Sequence, residues 1–253
     1  MKTTLTYIGT ATVLLETGGL TLLTDPAFDH APTEYPTGPV TLRSLTGPAV
    51  EAADLPALDA VLLSHDEHPD NLDAAGRALL DGRTVLTTVS GAQRLGGQAV
   101  GLAPWETHEL TGERGTLLVT AALGRHAGDV IGFLLRTPGE DEALYVSGDT
   151  VYYDELDEIA RRFTVGAAVL HFGAALVPYF GDDYITMDGE QGARLTRALG
   201  AGTVVPVHYD AWDHFTQGRD GIAAAFADAG LADRLHWAER GIPTVIDTRS
   251  ATS

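Results

Sequence analysis

The chain has 253 residues and a formal charge of −19, with 16 Lys and Arg against 35 Asp and Glu, and it contains no cysteine. Without cysteine, disulfides, thiolate zinc sites, iron–sulfur clusters and cysteine nucleophiles are excluded. The acidic balance argues against nucleic acid as a partner and against a basic membrane-surface helix. A hydrophobic fraction of 44% is enough for a packed core.

No stretch of the sequence has the pattern of a targeting or membrane-spanning segment. Residues 1–19 carry one positive charge, and Gly9 and Glu16 interrupt the apolar run that a secretory signal needs. No segment approaches the ~18 consecutive apolar residues of a membrane-spanning helix. We therefore expect a cytoplasmic location and no membrane partner.

The first half of the chain predicts mainly β-strands. TLTYIG, TVLLET and LTLLTD form three short strands within the first 25 residues, separated by glycine-containing turns. Residues 26–56 contain six prolines and little periodicity, so we interpret them as a rim or lid loop. The buried strand AVLLS follows, and a helix is expected from near Leu72 to about Gly82.

The second half continues with strands and then alternates helix with strand. TVLTTV, TLLVTAAL, VIGFLLR and ALYVSGD are strands, and from about Asp154 the pattern becomes helix DELDEIARRF, strand VGAAVLHF, helix DGEQGARLTRAL, strand TVVPVHY and helix RDGIAAAFADAG. This order predicts a single domain over residues 1–253, with two mixed sheets face to face and helices on the outer faces.

Ligand-type side chains follow four of the predicted strands. They are His65, His68 and Asp70 after AVLLS, His126 after TLLVTAAL, Asp149 after ALYVSG, and His208 after TVVPV. Each alone is explained as well by a surface histidine, a packed core histidine or an Asx-turn. Together they indicate a metal site at one edge of the sheets, because imidazole and carboxylate are the ligands left to a chain without cysteine.

These segments resemble the ordered motifs of the metallo-β-lactamase fold superfamily. The similar motifs are Thr24-Asp25-Pro26, SHDEHPDNLD, His126, Ser147-Gly148-Asp149-Thr150 and Pro206-Val207-His208. The match spans residues 5 to about 210, and PVHYDAWDHF is similar to a lactonase-like bacterial branch (L-ascorbate-phosphate lactonase-like). The resemblance implies an α/β (α+β) fold, a four-layer αββα sandwich with its metal site at the edge between the sheets, and a hydrolase activity.

The second motif departs from the family pattern H-x-H-x-D-H. Here the spacing is His65-x-x-His68-x-Asp70-Asn71, with one residue inserted and the last histidine replaced. An ungapped alignment would instead put Glu67 in the second ligand position. We prefer the gapped alignment, because it preserves H-x-D and the register of the following helix.

By this resemblance the metal ligands can be assigned residue by residue. His65, His68 and His126 match the ligands of a first ion, Asp149 matches the bridging carboxylate, and Asp70 and His208 match ligands of a second ion. Asn71 would be a weak ligand or a hydrogen-bonding neighbour, and Asp25 would support the site by hydrogen bonding. We expect one or two divalent ions, zinc with manganese as the alternative, and a second site that is weak, empty or selective for a harder ion.

The expected chemistry is attack of an activated water on a small ester, with a lactone as the first guess. Asp70 would orient the water and accept its proton, and His208 would ligate or stabilise the developing oxyanion. The alternatives are a phosphodiesterase of the same fold and a degenerate, non-catalytic scaffold that binds metal or a ligand. The expected partner is a small molecule, and the sequence does not indicate an oligomeric state.

Several further side chains are weaker candidates for the pocket. Packing explains four of them equally well: His171, Tyr209, Trp212 and His214. His30 and Tyr35, in the long early loop, would contact the substrate if that loop closes as a lid.

Overall fold

A computed structural model describes residues 2–247, which form two mixed β-sheets, a hairpin and several helices. The strands in this range are β1 (Lys2–Gly9), β2 (Thr12–Thr17), β3 (Leu20–Thr24), β4 (Thr33–Thr37), β5 (Val40–Ser44), β6 (Ala60–Leu62), β7 (Val85–Thr88), β8 (Ala99–Leu102), β9 (Thr107–Gly112), β10 (Gly115–Leu123), β11 (Ile131–Arg136), β12 (Glu142–Val146), β13 (Thr164–His171), β14 (Thr203–Val207) and β15 (Thr244–Asp247). The α-helices are α1 (Ala74–Ala78), α2 (Val89–Leu95), α3 (Glu158–Arg162), α4 (Gly189–Leu199) and α5 (Arg219–Asp228). Short 3-10 turns lie at Ala52–Asp54, Asp154–Asp157, Pro178–Phe180 and Ala232–Arg234.

Each of the two sheets contains both parallel and antiparallel strand pairs. Within residues 2–247 the first has the order β15-β1-β2-β3-β6-β7-β8 and the second β14-β13-β12-β11-β10-β9, while β4 and β5 pair only with each other. In the first sheet the pairs β3–β6, β6–β7 and β7–β8 are parallel. In the second, β12–β13 and β13–β14 are parallel, and the remaining pairs are antiparallel.

Successive side chains of a strand point to opposite faces of its sheet, so apolar residues pack on both faces and build the layers of the fold. Leu22 and Leu62 of the first sheet pack with Phe133 and Val169 of the second in one buried cluster between the sheets. A second cluster packs the outer face of the second sheet against α4 and α5, and a third covers the outer face of the first sheet beside α1. The expected four-layer αββα sandwich is confirmed.

The strand ends that carry the ligand-type side chains lie at the same edge. Strands β3 and β6 run parallel in one sheet, and β12, β13 and β14 run parallel in the other. Strand β10 has the direction of β12, because both pair antiparallel with β11. Side chains that follow these strands therefore converge in the crevice at their carboxyl ends.

Two predicted elements differ from the observed ones. Residues 26–56 are not a plain loop, because they contain the β4–β5 hairpin. The helix predicted from Leu72 to Gly82 is only the short α1, whose N-terminus is capped by the Asp73 side chain accepting from Gly76 N. The periodicity also did not reveal α2, β8, β9 or β15.

None of the helices in the described range has the length and apolar character needed to cross a membrane. The longest, α4, has 11 residues.

Helix α1 is fixed against the chain that leaves β3, and Gly76 makes this possible. A Cβ at position 76 would overlap the carbonyl oxygen of Pro26. We expect Gly76→Ala to lower the free energy of unfolding by about 1–3 kcal/mol, because backbone must move to admit the methyl group. Urea denaturation would measure this loss.

Gly218→Ser, at the N-cap of α5, is the control. Its Cβ would meet nothing closer than the Tyr209 carbonyl oxygen at 3.9 Å, so stability should change little, since serine suits an N-cap at least as well as glycine. Equal stability of Gly76→Ala and the native protein would contradict the tight packing described here.

Candidate metal centre

Three histidine rings converge on one point at the strand ends. His68 Nδ1 lies 2.9 Å from His65 Nε2 and 2.9 Å from His126 Nε2. His65 is fully buried, and the side chain of His126 is only 1% exposed. Each ring thus directs a nitrogen lone pair into the same small volume, as three ligands of one metal ion would.

Neighbouring groups fix which nitrogen of each ring faces this point. The Ile185 carbonyl lies 2.6 Å from His126 Nδ1, which donates to it and leaves Nε2 free of a proton. The Ser64 hydroxyl lies 3.0 Å from His65 Nδ1 and orients that ring. The Ile185 carbonyl therefore sets the tautomer of His126, while the Ser64 hydroxyl holds the orientation of the His65 ring.

A second group combines two buried carboxylates with His208. His208 Nε2 lies 3.3 Å from Asp70 Oδ2 and 3.3 Å from Asp149 Oδ2. Asp149 also approaches the first group, since its Oδ2 is 4.0 Å from His126 Nε2. Asp149 therefore lies near both groups, and its role as a bridging carboxylate stays an expectation from the family resemblance.

The electrostatics of this second group favour a cation. Burial lowers the pKa of His208, but the Asp149 and Asp70 carboxylates outweigh it and raise the pKa to about 9. Burial raises the pKa of Asp149, yet His208 and His126 bring it down to about 2. Burial likewise opposes ionisation of Asp70, but hydrogen bonds from His208 and His214 hold its pKa well below the usual range.

In the first group, in contrast to His208, the surroundings lower the pKa of the histidines. Burial lowers the pKa of His65 well below its usual range, and the neighbouring His126 and His68 lower it further. Burial is also the largest cause that lowers the pKa of His126. These rings are kept neutral, and a neutral imidazole is the form that binds a metal ion.

The backbone is strained where it presents these side chains. His208 has φ of 59° and Asp25 has φ of 35°, both in the left-handed region that non-glycine residues seldom adopt. His208 N donates to the Thr10 carbonyl at 2.7 Å, and its Nδ1 donates to the Phe172 carbonyl at 3.1 Å. Such strain persists where surrounding bonds hold it, which is typical of functional sites.

Asp25 lies directly behind the first group. Its Oδ1 accepts from Ser64 N at 2.7 Å, and its Oδ2 lies 3.7 Å from His171 Nε2. His171 is fully buried and contacts the Ser147 hydroxyl through Nδ1 at 3.1 Å. Asp25 thus positions the turn that carries His65, and His171 lies behind the metal-facing groups.

The unusual second motif has a clear geometry. His68, and not Glu67, joins the other two histidines, while the Glu67 carboxylate lies 3.3 Å from Arg94. This arrangement agrees with the gapped alignment. The buried amide Nδ2 of Asn71 lies 3.5 Å from the Ser64 hydroxyl, and its Oδ1 has no hydrogen-bond partner among the described residues.

The two groups fit a pair of divalent ions. Their ligand atoms lie within 4.8 Å of one another in each group. Among the described residues the buried Asp70 Oδ1 and Asp149 Oδ1 have no hydrogen-bond partner. Unpaired buried carboxylate oxygens are costly, and a cation at each group would offset that cost.

Above the ligands opens a small cavity of about 280 Å³. The metal-facing side chains form its floor, and Glu67 is the acidic residue on its rim. Its walls are mainly apolar and come from the β4–β5 hairpin and from residues 175–186: Val40, Leu42, Ala175, Val177, Tyr179, Phe180 and Ile185. Within residues 2–247, no lysine or arginine lines this cavity.

Some of the weaker candidates pack outside the cavity, and others belong to the site. Tyr35 donates to Asp29 and packs on Trp212, and Tyr209 packs on Tyr7, so these aromatic rings do not line the cavity. His30 is exposed and lies outside the cavity.

His214 lines the cavity and reaches Asp70, a contact that the sequence did not indicate. Its only sequence signal is its position six residues after His208. The hairpin walls were also missed, although the segment 26–56 was expected to lie at the rim.

Comparison with known proteins agrees with this geometry. A family described as "Beta-lactamase superfamily domain" matches residues 21–209. The UPF0173 protein YddR of Bacillus subtilis is 26% identical over 94% of this chain and 97% of its own length. A UPF0173 metal-dependent hydrolase of Geobacillus thermodenitrificans is 28% identical over 84% of this chain and 88% of its own.

Solved structures share the fold over nearly the whole chain. An isothiocyanate hydrolase from Delia radicum gut bacteria has a TM-score of 0.80 at 24% identity, covering 98% of this chain and 100% of that one. A possible metal-dependent hydrolase from Veillonella parvula has a TM-score of 0.83 at 20% identity, covering 96% and 99%. The chain belongs to the beta-lactamase superfamily, as a metallo-hydrolase of the metallo-β-lactamase fold.

Proposed function

We propose that the protein uses zinc, with manganese as the alternative, to hydrolyse a small uncharged ester that carries an apolar substituent, with a lactone as the first candidate. One observation carries the proposal: ligand-type side chains form the floor of a cavity of about 280 Å³ with mainly apolar walls. That volume is near the lower end of ligand pockets, which suits a small substrate.

The ligand residues define where the reaction would occur. When bound, a divalent ion supplies an activated water nucleophile near neutral pH and polarises the substrate carbonyl. His65, His68 and His126 would hold the first ion, and Asp149, Asp70 and His208 the second.

Asp70 is the residue best placed to manage the proton. It lines the cavity, its Oδ2 contacts His208 and His214, and its Oδ1 has no partner among residues 2–247. The low pKa of Asp70 keeps the carboxylate ionised, so it can accept a hydrogen bond from the attacking water and orient it. The unpartnered Oδ1 is the atom that we propose takes the proton. His208 is held by the Phe172 carbonyl with Nε2 toward the floor, where it would steady the developing oxyanion or a ligated ion.

The cavity favours an uncharged ester over a phosphodiester. A phosphodiester carries a full negative charge, and proteins commonly bind phosphate through arginine or lysine. The lining residues within 2–247 include neither, and the acidic rim residue Glu67 is paired with Arg94, which does not itself line the cavity. A non-catalytic scaffold is disfavoured because two carboxylates remain buried and directed at the floor.

The substrate preference can be measured on a defined panel. We expect the metal-loaded protein to hydrolyse an alkyl or aryl lactone at least about 10-fold faster, in kcat/KM, than bis-p-nitrophenyl phosphate. An aryl isothiocyanate belongs in the panel, because it too is small and uncharged and the isothiocyanate hydrolase shares this fold. Hydrolysis should disappear with a chelator and return with zinc or manganese.

Preference for the phosphodiester would contradict the substrate class. Metal uptake without turnover of any compound in the panel would favour the scaffold.

A substitution of Phe180 tests whether the apolar wall contacts the substrate. Its ring lines the cavity, 6.5 Å from the His68 ring between centroids. We expect Phe180→Ala to raise KM for an aryl lactone about 3- to 10-fold and to leave kcat nearly unchanged, because apolar contact is lost without disturbing the ligands.

Tyr184→Ala is the control, since Tyr184 is a 40% exposed aromatic side chain in the same segment that does not line the cavity. Equal effects of the two substitutions would contradict the proposed position of the substrate.

A substitution of Asp70 tests whether this side chain accepts the proton of the attacking water. We expect Asp70→Asn to lower kcat by about 100-fold or more at saturating metal, because an amide cannot accept the proton. Stopped assays at saturating lactone, with metal content measured on the same sample, would check this. Asp141→Asn, in an exposed turn, is the control. Unchanged turnover at unchanged metal content would remove Asp70 from the mechanism.

A further inference from the structure

We propose that His214 is a ligand of the second metal ion and supplies the imidazole that the second motif lacks at Asn71. The inference rests on the proposed metal-dependent function and concerns the composition of its second site. It replaces the expectation from sequence that the second site is weak or empty.

The position of His214 is the first argument. Its Nε2 lies 3.2 Å from Asp70 Oδ2, the same oxygen that lies 3.3 Å from His208 Nε2. In a tetrahedral site with bonds of about 2.0–2.1 Å, neighbouring ligand atoms lie about 3.3 Å apart. Asp70 Oδ2 therefore lies at the spacing of a neighbouring ligand from His214 Nε2 and from His208 Nε2.

Burial and exposure to the cavity are the second argument. The side chain of His214 is 7% exposed, and it lines the same cavity as Asp70 and His208. Buried polar side chains need partners, and Asp70 Oδ2 is the partner of His214 Nε2. One carboxylate oxygen thus faces two imidazole nitrogens, while Asp70 Oδ1 has no partner within the described residues.

The surrounding chain holds His214 in this place. The His214 carbonyl accepts from Leu176 N at 3.0 Å, and Asp213 N donates to the Arg43 carbonyl at 3.1 Å. The Phe215 ring packs between the two imidazoles, with its centroid 4.6 Å from that of His214 and 4.5 Å from that of His208. His214 is thus presented by a fixed segment.

The second ring nitrogen of His214 is buried beside a carboxylate. Nδ1 lies 4.0 Å from the Asp213 carboxylate and has no hydrogen-bond partner within residues 2–247. Metal-bound histidines commonly direct the free ring nitrogen toward a carboxylate or carbonyl, as His208 directs Nδ1 to the Phe172 carbonyl at 3.1 Å. In His214 the Asp213 carboxylate is the group in this position, at a distance longer than a hydrogen bond.

The Asn71 amide nitrogen is placed beside the first group. Asn71 is fully buried, and its Nδ2 lies 3.5 Å from the Ser64 hydroxyl, which in turn contacts His65 Nδ1. An amide has no imidazole nitrogen to offer the second ion. The second group recruits its imidazole from a residue 144 positions further along the chain than Asp70.

The alternative role for His214 is to orient Asp70 by a hydrogen bond without touching the ion. A measurement on the bound metal separates the two roles. In the cobalt(II)-loaded protein, contact shifts in proton NMR are carried through metal–nitrogen bonds and mark the ring protons of ligating histidines only. The chain has nine histidines, and selective labelling of histidine identifies their signals.

We expect two cobalt ions per chain and contact-shifted rings from five histidines. They are His65, His68, His126, His208 and His214. Four such rings with two ions would assign His214 the orienting role, and uptake of a single ion would remove the second site. Either result overturns the inference.

Substitution provides an independent readout. We expect His214→Ala to weaken binding of the second cobalt by more than about 100-fold, beyond the 10–100-fold typical when a supporting residue is removed. The first ion should be retained. His236→Ala, which removes an exposed histidine, is the matched control and should keep both ions. If His214→Ala does not fold, the count of shifted rings in the unmodified protein decides the question.

Failure of this inference is separable from failure of the proposed function. A protein that hydrolyses the lactone panel but shows four shifted rings keeps the function and loses His214 as a ligand. A protein with five shifted rings but no hydrolysis keeps the ligand and loses the function.

Discussion

The candidate metal centre depends on positive charge that balances two buried carboxylates at the edge between the sheets. Asp70 and Asp149 are 3% and 1% exposed, and each leaves one oxygen without a partner among the described residues. An unpaired buried charge costs several kcal/mol, so this part of the molecule is stable only with positive charge nearby. The clustered histidines supply part of it as His208 takes up a proton, and a pair of divalent ions would supply it fully.

The fold places these carboxylates at the edge where strands of both sheets end, on the floor of the cavity. Strands from both sheets end at one edge, so side chains far apart in sequence meet without long loops to carry them. The strained backbone at His208 and Asp25 is held by bonds to Thr10, Phe172 and Ser64. This second layer of contacts fixes ring orientation before any ion binds, which reduces the reorganisation that binding requires. The apolar hairpin and the segment around Phe180 then enclose the floor.

Much of this could be predicted from the sequence, because strand-end histidines and aspartates are local features. The sandwich, the histidine cluster and the place of Asp149 followed from strand patterns and their order. The contact of His214 with Asp70 could not be predicted, because His214 lies in the irregular segment after β14 and not at the end of a strand. The sequence indicated His214 only as a weaker candidate for the pocket. Helix α2 was also missed, because its Val-Ser-Gly beginning has low helix propensity and Thr88 provides the cap. The hairpin within residues 26–56 was hidden by its prolines, which are tolerated at an isolated pair of strands.

Anomalous diffraction from crystals of the zinc- or manganese-loaded protein would show whether this edge of the sandwich holds two metal ions. We expect one anomalous peak among the ring nitrogens of His65, His68 and His126, and a second bounded by Asp70, Asp149, His208 and His214. A single peak at the three histidines would contradict the second site. The absence of any peak at this edge would contradict the metal-dependent mechanism itself.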